Sequence, residues 1–600
     1  MIFYRAPFLI TIAFAGALGK EALAATALAM TLCNVTGWSI VIGLSSALTS
    51  LTSQATGAIN SSAASNPPLT ISRKGRKAKS SRANLSTYFD SETESEDEND
   101  QVSPSTPPST STTNLPLTYL KRGYFVHFLA CLPISIFWIF GTTDVLTSLG
   151  QDPTLSRNTS DYLSNLSLGL LGHTIVWTLT PWMQAINLPS IPAVVALFTT
   201  VIHIPVNYFF IYYLDMGFLG AARALSFSTC AGALLMYILI FYVPRFRTPA
   251  MENIGMSSND ISISKFSMFS GYSVAISFKG CCQYLSLAVP GVLSISEWWA
   301  SEVAIFLAGR LKPDPEVAVA AMAIYQSINS SCFMLPVGFS VAASTRVGNF
   351  LGSNEPKSAK RNSTVSTLGS LCLSGSVAAV LFASNHETWP RLFSNDEDIV
   401  KAAARTVPLL CAYIIADGVQ VTLSGVIKGC GRQCAALPII IVAYWLVALP
   451  IGYYLSFDLN GGQSDCDTGF CGVVGLTTGM TVGTWVHFLL LLILICCTNW
   501  NLEAEKAQNR IRENNTTKPN VSYIAVSNDD QVEENDIENA ALAQNMQTDD
   551  DSFFAGLELR QINPEVQQVE EEAAYRLQMR AMEDDDLDEA KNFERLKADL

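Results

Sequence analysis

Charge is scarce in this 600-residue sequence: Asp, Glu, Lys and Arg together make up 15% of it, against 49% apolar residues. A soluble globular chain of this length rarely shows so little charge. The charge that exists is also unevenly placed. Residues 501–600 hold 25 acidic and 10 basic residues, which accounts for the whole net charge of -15. The other residues are near neutral and offer no basic face, so a nucleic-acid partner is not expected. The 14 cysteines contain no CxxC pair, and most stand singly in apolar runs as small packing residues. No GxxxxGK[ST], HExxH or GxSxG string occurs, which leaves ATP-driven pumping and hydrolysis without their motifs. The chain therefore reads as neither an enzyme nor a holder of a cofactor or metal. No cleavable signal precedes the first apolar stretch, so residues 2–19 read as a retained helix. That helix is short, contains Arg5 and starts at Met1, which points to a truncated or alternatively started N-terminus.

What the sequence does have is apolar blocks at bilayer length. A helix needs about 20 apolar residues to cross the hydrocarbon core. Twelve such spans fall at approximately 2–19, 28–55, 119–141, 160–184, 189–213, 217–244, 284–310, 317–349, 364–384, 400–427, 434–457 and 472–498. Too many to share one buried core, they make the lipid bilayer the solvent. Two polar segments interrupt them. Residues 59–117 run from basic (Arg73 to Arg82) to acidic (Asp90 to Asp100) amid Ser, Thr, Asn and Pro, and residues 500–600 are acidic. Neither composition can bury a core, and both are expected to be mostly disordered. Lys and Arg counts across the loops place both termini, the 59–117 insert, Lys428 and Arg432 in the cytoplasm. The Asn158-Thr-Ser sequon and the Cys466/Cys471 pair, a candidate disulfide, then face outward.

An internal repeat organises the spans. Asn34, Gly43, Ser45, Ala47, Gln54 and Gly57 recur as Asn329, Gly338, Ser340, Ala342, Asn349 and Gly352, always 295 residues later. Pro205-Val-Asn-Tyr208 recurs as Pro450-Ile-Gly-Tyr453 at an offset of 245, the difference matching the polar insert. Gly217/Gly220 and Gly472/Gly475 continue the series. With six spans in each half the repeats are parallel, and two such bundles face each other across a central pathway. The expected fold is an all-α integral membrane protein of twelve transmembrane helices in two pseudo-symmetric six-helix lobes. Residues 1–58 and 118–245 form the N-terminal lobe, 246–283 a cytoplasmic linker and 284–499 the C-terminal lobe. The insert 59–117 and tail 500–600 complete the chain.

Within the spans, Glu297 lies near the middle of the seventh and Asp417 well inside the tenth. A carboxylate at mid-bilayer costs several kcal/mol if charged and unpaired. Such a group takes up a proton or holds a cation, which makes both residues candidate coupling sites. Glu302 is five residues on, about 140° around a helix, so the two glutamates are expected to point apart. Glu302, Trp298, Tyr325, Gln326 and Asn329, with Gln184 in the fourth span, are candidate cavity residues. His173, alone among apolar residues, reads as a packing residue.

Three segments carry a family resemblance. They are Leu28-Ala-Met-Thr-Leu-Cys-Asn-Val-Thr-Gly-Trp-Ser39 through Gly57, Glu297-Trp-Trp-Ala-Ser-Glu302 followed by Phe333 to Asn349, and Ala416-Asp-Gly-Val-Gln420 through Leu423-Ser-Gly-Val-Ile-Lys-Gly-Cys-Gly-Arg-Gln433. With Leu149-Gly-Gln-Asp-Pro153 they resemble the multidrug and toxic compound extrusion (MATE) family, eukaryotic type, over roughly residues 12–500 outside the insert. The resemblance implies two six-helix lobes, alternating access, and export of organic compounds against H+ or Na+, by a monomer in the plasma or vacuolar membrane. Two departures stand out. Gln326 is neutral where some members carry an acid, and the first span has no acid, so coupling is expected in the second lobe. The competing readings are a lipid-linked substrate flippase, which would favour cationic residues in the cavity where acids are expected here, and a membrane scaffold or receptor acting through its tails.

Overall fold

A computed structural model describes residues 2–65, 115–256, 272–463 and 469–515. The expectations for most of the insert, most of the tail and Cys466 fall outside these residues; Cys471 is disulfide-bonded. The described residues form helices, with a single isolated bridge between Lys312 and Gln463. In the first half of the chain these are α1 (Ile2–Ala17), α2 (Lys20–Cys33), α3 (Ser39–Ser65), α4 (Leu115–Ile136), α5 (Thr142–Ser148), α6 (Pro153–Ala185), α7 (Ser190–Tyr208) and α8 (Gly217–Phe241). Then come α9 (Pro244–Asn253), α10 (Tyr272–Ala275), α11 (Phe278–Leu293), α12 (Ser296–Ala308), α13 (Pro315–Gly352) and α14 (Pro356–Ala383). The chain continues through α15 (Glu397–Ala404), α16 (Val407–Cys430), α17 (Gln433–Ile440), α18 (Leu449–Tyr453), α19 (Gly472–Cys496) and α20 (Trp500–Asn515).

Helical segments occupy all twelve expected spans. Among the described residues, ten are long and apolar enough to cross a membrane. The other two are α1, with 16 residues, and α6, whose 33 residues include many Ser, Thr and Asn. Large apolar side chains such as Phe140, Val201, Leu234, Leu368, Val380 and Ile493 are exposed on the outer faces. Water would not tolerate such a surface, and lipid does. Local sequence explains the helix ends. Asp152 caps α6 by accepting from Leu155 N at 2.9 Å, with Pro153 in the first turn. Gly431, at φ 69°, supplies the left-handed residue that ends α16.

The repeat read from the sequence has a counterpart in the backbone. π-Helical turns occur at Phe209–Tyr213 and Tyr454–Asp458, separated by the same 245 residues as the prolines before them. Helices α8 and α19 are both 25 residues long and both start at a glycine with positive φ, Gly217 at 55° and Gly472 at 52°. The 295-residue offset is expressed as a reciprocal contact. A Cβ on Gly57 would strike the Asn349 carbonyl, and a Cβ on Gly352 would strike the Gln54 carbonyl. Gln54 and Asn349 are themselves repeat partners, so α3 and α13 cross about a pseudo-two-fold axis, backbone against backbone, near their C-terminal ends.

Hydrogen bonds between the halves cluster at that same end. Gln54 Nε2 donates to Gly429 O (3.0 Å), Ser50 Oγ to Lys428 O (2.5 Å) and Gln433 Nε2 to Ser50 Oγ (2.8 Å). Asn349 Nδ2 donates to Asn187 Oδ1 at 3.2 Å.

Three features depart from the sequence reading. The seventh span is broken: α11 ends at Leu293 and α12 restarts at Ser296. Pro290 and Gly291 precede the break, and Ser294 Oγ donates back to Pro290 O at 2.7 Å. Second, α11 packs with the first half. Tyr284, Leu287 and Ala288 join the core built around Leu48 and Trp182, and Tyr284 Oη donates to Leu44 O at 3.1 Å. Third, the first 16 residues of the acidic tail are ordered as α20. Asn499 caps it by accepting from Asn501 N and Leu502 N. Trp500, Ala504, Ala507 and Ile511 form its buried face at helical spacing.

Helix α20 bridges the two halves at their closed end. Gln508 Nε2 donates to Gly352 O (2.6 Å), and Arg510 Nη1 donates to Cys430 O (2.9 Å) and to Gln54 Oε1 (3.2 Å). Burial holds the Arg510 guanidinium below its usual value, with Glu503 opposing that effect.

Candidate functional site

Between the halves lies a larger void, partly open to solvent, that adjoins a smaller one through shared walls at Asn34, Ser39, Glu297, Trp298, Phe333 and Met334. The break in the seventh span positions its most chemically active wall. Glu297 sits in the first turn of α12, where free backbone N–H groups and the helix dipole favour a carboxylate. It is thus at a helix start rather than mid-helix as the continuous apolar run suggested. Glu297 Oε2 lies 3.5 Å from His487 Nδ1 on α19, and the imidazole is fully buried. His487 packs edge-on against Tyr444 at 5.4 Å between ring centroids. Asp417, on α16, lies on the same cavity and is 5% exposed; its Oδ1 accepts from Gln420 Nε2 at 2.9 Å.

Most of the sequence-derived candidates converge here. Glu302, Trp298, Gln326 and Asn329 line the smaller void with Glu297 and Asp417, and Gln184 lines the larger one. The Asn329 Oδ1 is buried without a hydrogen-bond partner. Trp298 meets Phe333 edge-on at 6.1 Å. Glu302 borders the same cavity as Glu297 despite the angle between them. One expectation is corrected. Tyr325 does not line the cavity; it is 2% exposed and packs edge-on behind Tyr413, which does line it.

Two further wall residues, Tyr413 and Trp38, and His487 behind Glu297 went unassigned from sequence. His487 carried a usable signal, an ionisable group midway along an apolar span. Tyr413 and Trp38 carried none, because aromatic residues at helical spacing are ordinary core. His173 read as packing, yet it lines the larger void between Trp38 (5.2 Å) and Trp177 (5.8 Å). Lys428 read as a cytoplasmic loop charge. Instead it lines the cavity on α16, within electrostatic reach of Glu297. A cationic residue therefore lines a cavity where acids rather than cations were expected.

A helical bundle with an apolar exterior, built as a tandem repeat around a cavity of buried carboxylates, defines a polytopic membrane transporter. Comparison with known proteins makes the assignment specific. The MatE family model matches residues 1–66, 116–209 and 291–454, and the chain belongs to the MATE family, whose members are transporters and not enzymes. Protein DETOXIFICATION 13 of Arabidopsis thaliana is 28% identical over 511 residues, covering 84% of this chain and 87% of that protein. Protein DETOXIFICATION 3 of the same plant is 30% identical over 510 residues, covering 84% and 88%. The crystal structure of the eukaryotic MATE transporter AtDTX14 superposes with a TM-score of 0.66 at 25% identity, covering 85% of this chain and 95% of that one. The chain is an integral membrane transporter of this family, and MATE transporters handle small organic substrates with ion coupling.

Proposed function

We propose that this chain is an H+-coupled antiporter that exports organic, cationic or amphipathic compounds by alternating access. One observation carries the reading: Glu297 and Asp417 border a single cavity between halves that are closed at one end. Deprotonated, the pair holds an organic cation; protonation releases it. Na+ coupling is the second reading, since carboxylates serve either ion. H+ is favoured because the neighbour of Glu297 is the His487 imidazole, a proton-exchanging group that offers no oxygen ligand. The Lys and Arg distribution supports a cytoplasmic position for the closed end and α20, in a plasma or vacuolar membrane. The conformation is then outward-facing. The two halves of one chain already enclose the cavity, so a monomer suffices.

The test is uptake of a fluorescent organic cation into proteoliposomes under an imposed pH gradient or an imposed Na+ gradient. The wild type is expected to respond to the pH gradient and Glu297→Gln to lose that response. A response to Na+ alone would reassign the coupling ion. An unimpaired Glu297→Gln would remove the residue from the coupling site.

A further inference from the structure

The cavity is not uniformly acidic. Asp417, Val421, Ser424 and Lys428 all line it from α16. At spacings of four, three and four residues they form one stripe. Eleven residues are three turns and about 20°, so Asp417 and Lys428 share a face with Cα atoms about 16 Å apart along the axis. Glu297 and Asp417 mark one end of the stripe and Lys428 the other. Among the described residues, the Lys428 ammonium has no hydrogen-bond or ion-pair partner, though its backbone carbonyl is held by Ser50. Gln433 lines the same wall, is 2% exposed, and its Oε1 is unpartnered. Lys428 is partly exposed to the cavity, so its ammonium is reachable by an anionic group of a ligand, which would form a charge-assisted hydrogen bond with it.

We propose that the cavity is built for amphoteric compounds, with the cationic group at Glu297 and Asp417 and a carboxylate or comparable anionic group at Lys428. The proposal rests on the transport reading above and narrows its substrate class. It explains why a site that selects cations retains a lysine: the lysine repels a simple cation and rewards a ligand that brings its own anion. The rings of Trp38, Trp177 and Trp298 line the same cavity and suit an aromatic scaffold between the two charged groups.

The experiment uses proteoliposomes and two fluorescent probes on one aromatic scaffold, a quaternary ammonium monocation and the same compound bearing a distal carboxylate. Uptake of both under a pH gradient is compared in wild type, Lys428→Met and Lys428→Arg. The expected result is that Lys428→Met shifts the zwitterion-to-monocation ratio about tenfold or more toward the monocation, the size expected for one lost hydrogen bond to a charged group. Lys428→Arg, which keeps the charge, restores most of that ratio. An unchanged ratio in Lys428→Met overturns the proposal, as does a wild type that moves the monocation and excludes the zwitterion. If the wild type moves neither probe under any gradient, the transport reading fails first, and this proposal with it.

Discussion

Glu297 is held by position as much as by partners: a helix start behind it, His487 beside it, and Asp417 and Lys428 across the cavity. His487 Nδ1 lies 3.5 Å from the Glu297 carboxylate and 3.4 Å from Tyr444 Oη, so the imidazole is placed to orient the acid. His487→Gln keeps a polar group at that place and is expected to retain initial uptake rates within about threefold. His487→Leu removes it and is expected to lower uptake about tenfold or more, because a buried carboxyl loses its polar neighbour. Equal rates in the two variants would take His487 out of the site. At this scale the sequence was legible wherever charge was expensive. Glu297, Asp417 and Glu302 stood out because an acid in an apolar run demands a reason. His487 obeyed the same rule but was a lone histidine among leucines. Lys428 was misread because a basic residue near a span end looks like a loop charge, and nothing in the sequence says that it turns inward. Tyr325 and Asn329 are four residues apart, yet only the asparagine reaches the cavity. Spacing gives a face of a helix but not which side of that face meets a void.

Among the elements, periodic ones were the most legible. The offsets of 295 and 245 residues reappear as glycines meeting carbonyls and as paired π-turns. The break between α11 and α12 was hidden, because Pro290-Gly291 sits in a continuous apolar stretch and proline is common in membrane helices. Helix α20 was hidden too, since average composition over the tail masks a 16-residue amphipathic segment at its start. That helix ties α3 of one half to α13 and α16 of the other. Arg510→Ala removes hydrogen bonds to Cys430, Gly431 and Gln54. It is expected to lower stability by about 2 kcal/mol in detergent, read as a fall in the midpoint of thermal unfolding. A midpoint unchanged from wild type would mean that α20 lies on the closed end without holding it.

For the whole molecule, the architecture separates two tasks. The outer faces are apolar and suit lipid; the inner faces carry the acids, the imidazole, the lysine and the aromatic walls. Both halves contribute walls, and near one end they meet backbone to backbone where Gly57 and Gly352 face carbonyls of the opposite half. The central claim is that proton and substrate compete for the same carboxylates. Its most direct test is proton release on substrate binding, followed with a pH indicator in weakly buffered detergent solution. Adding an organic cation to the wild-type protein is expected to release protons. A Glu297→Gln/Asp417→Asn double variant is expected to release none. Saturable binding of the cation to wild type with no proton released would contradict the account.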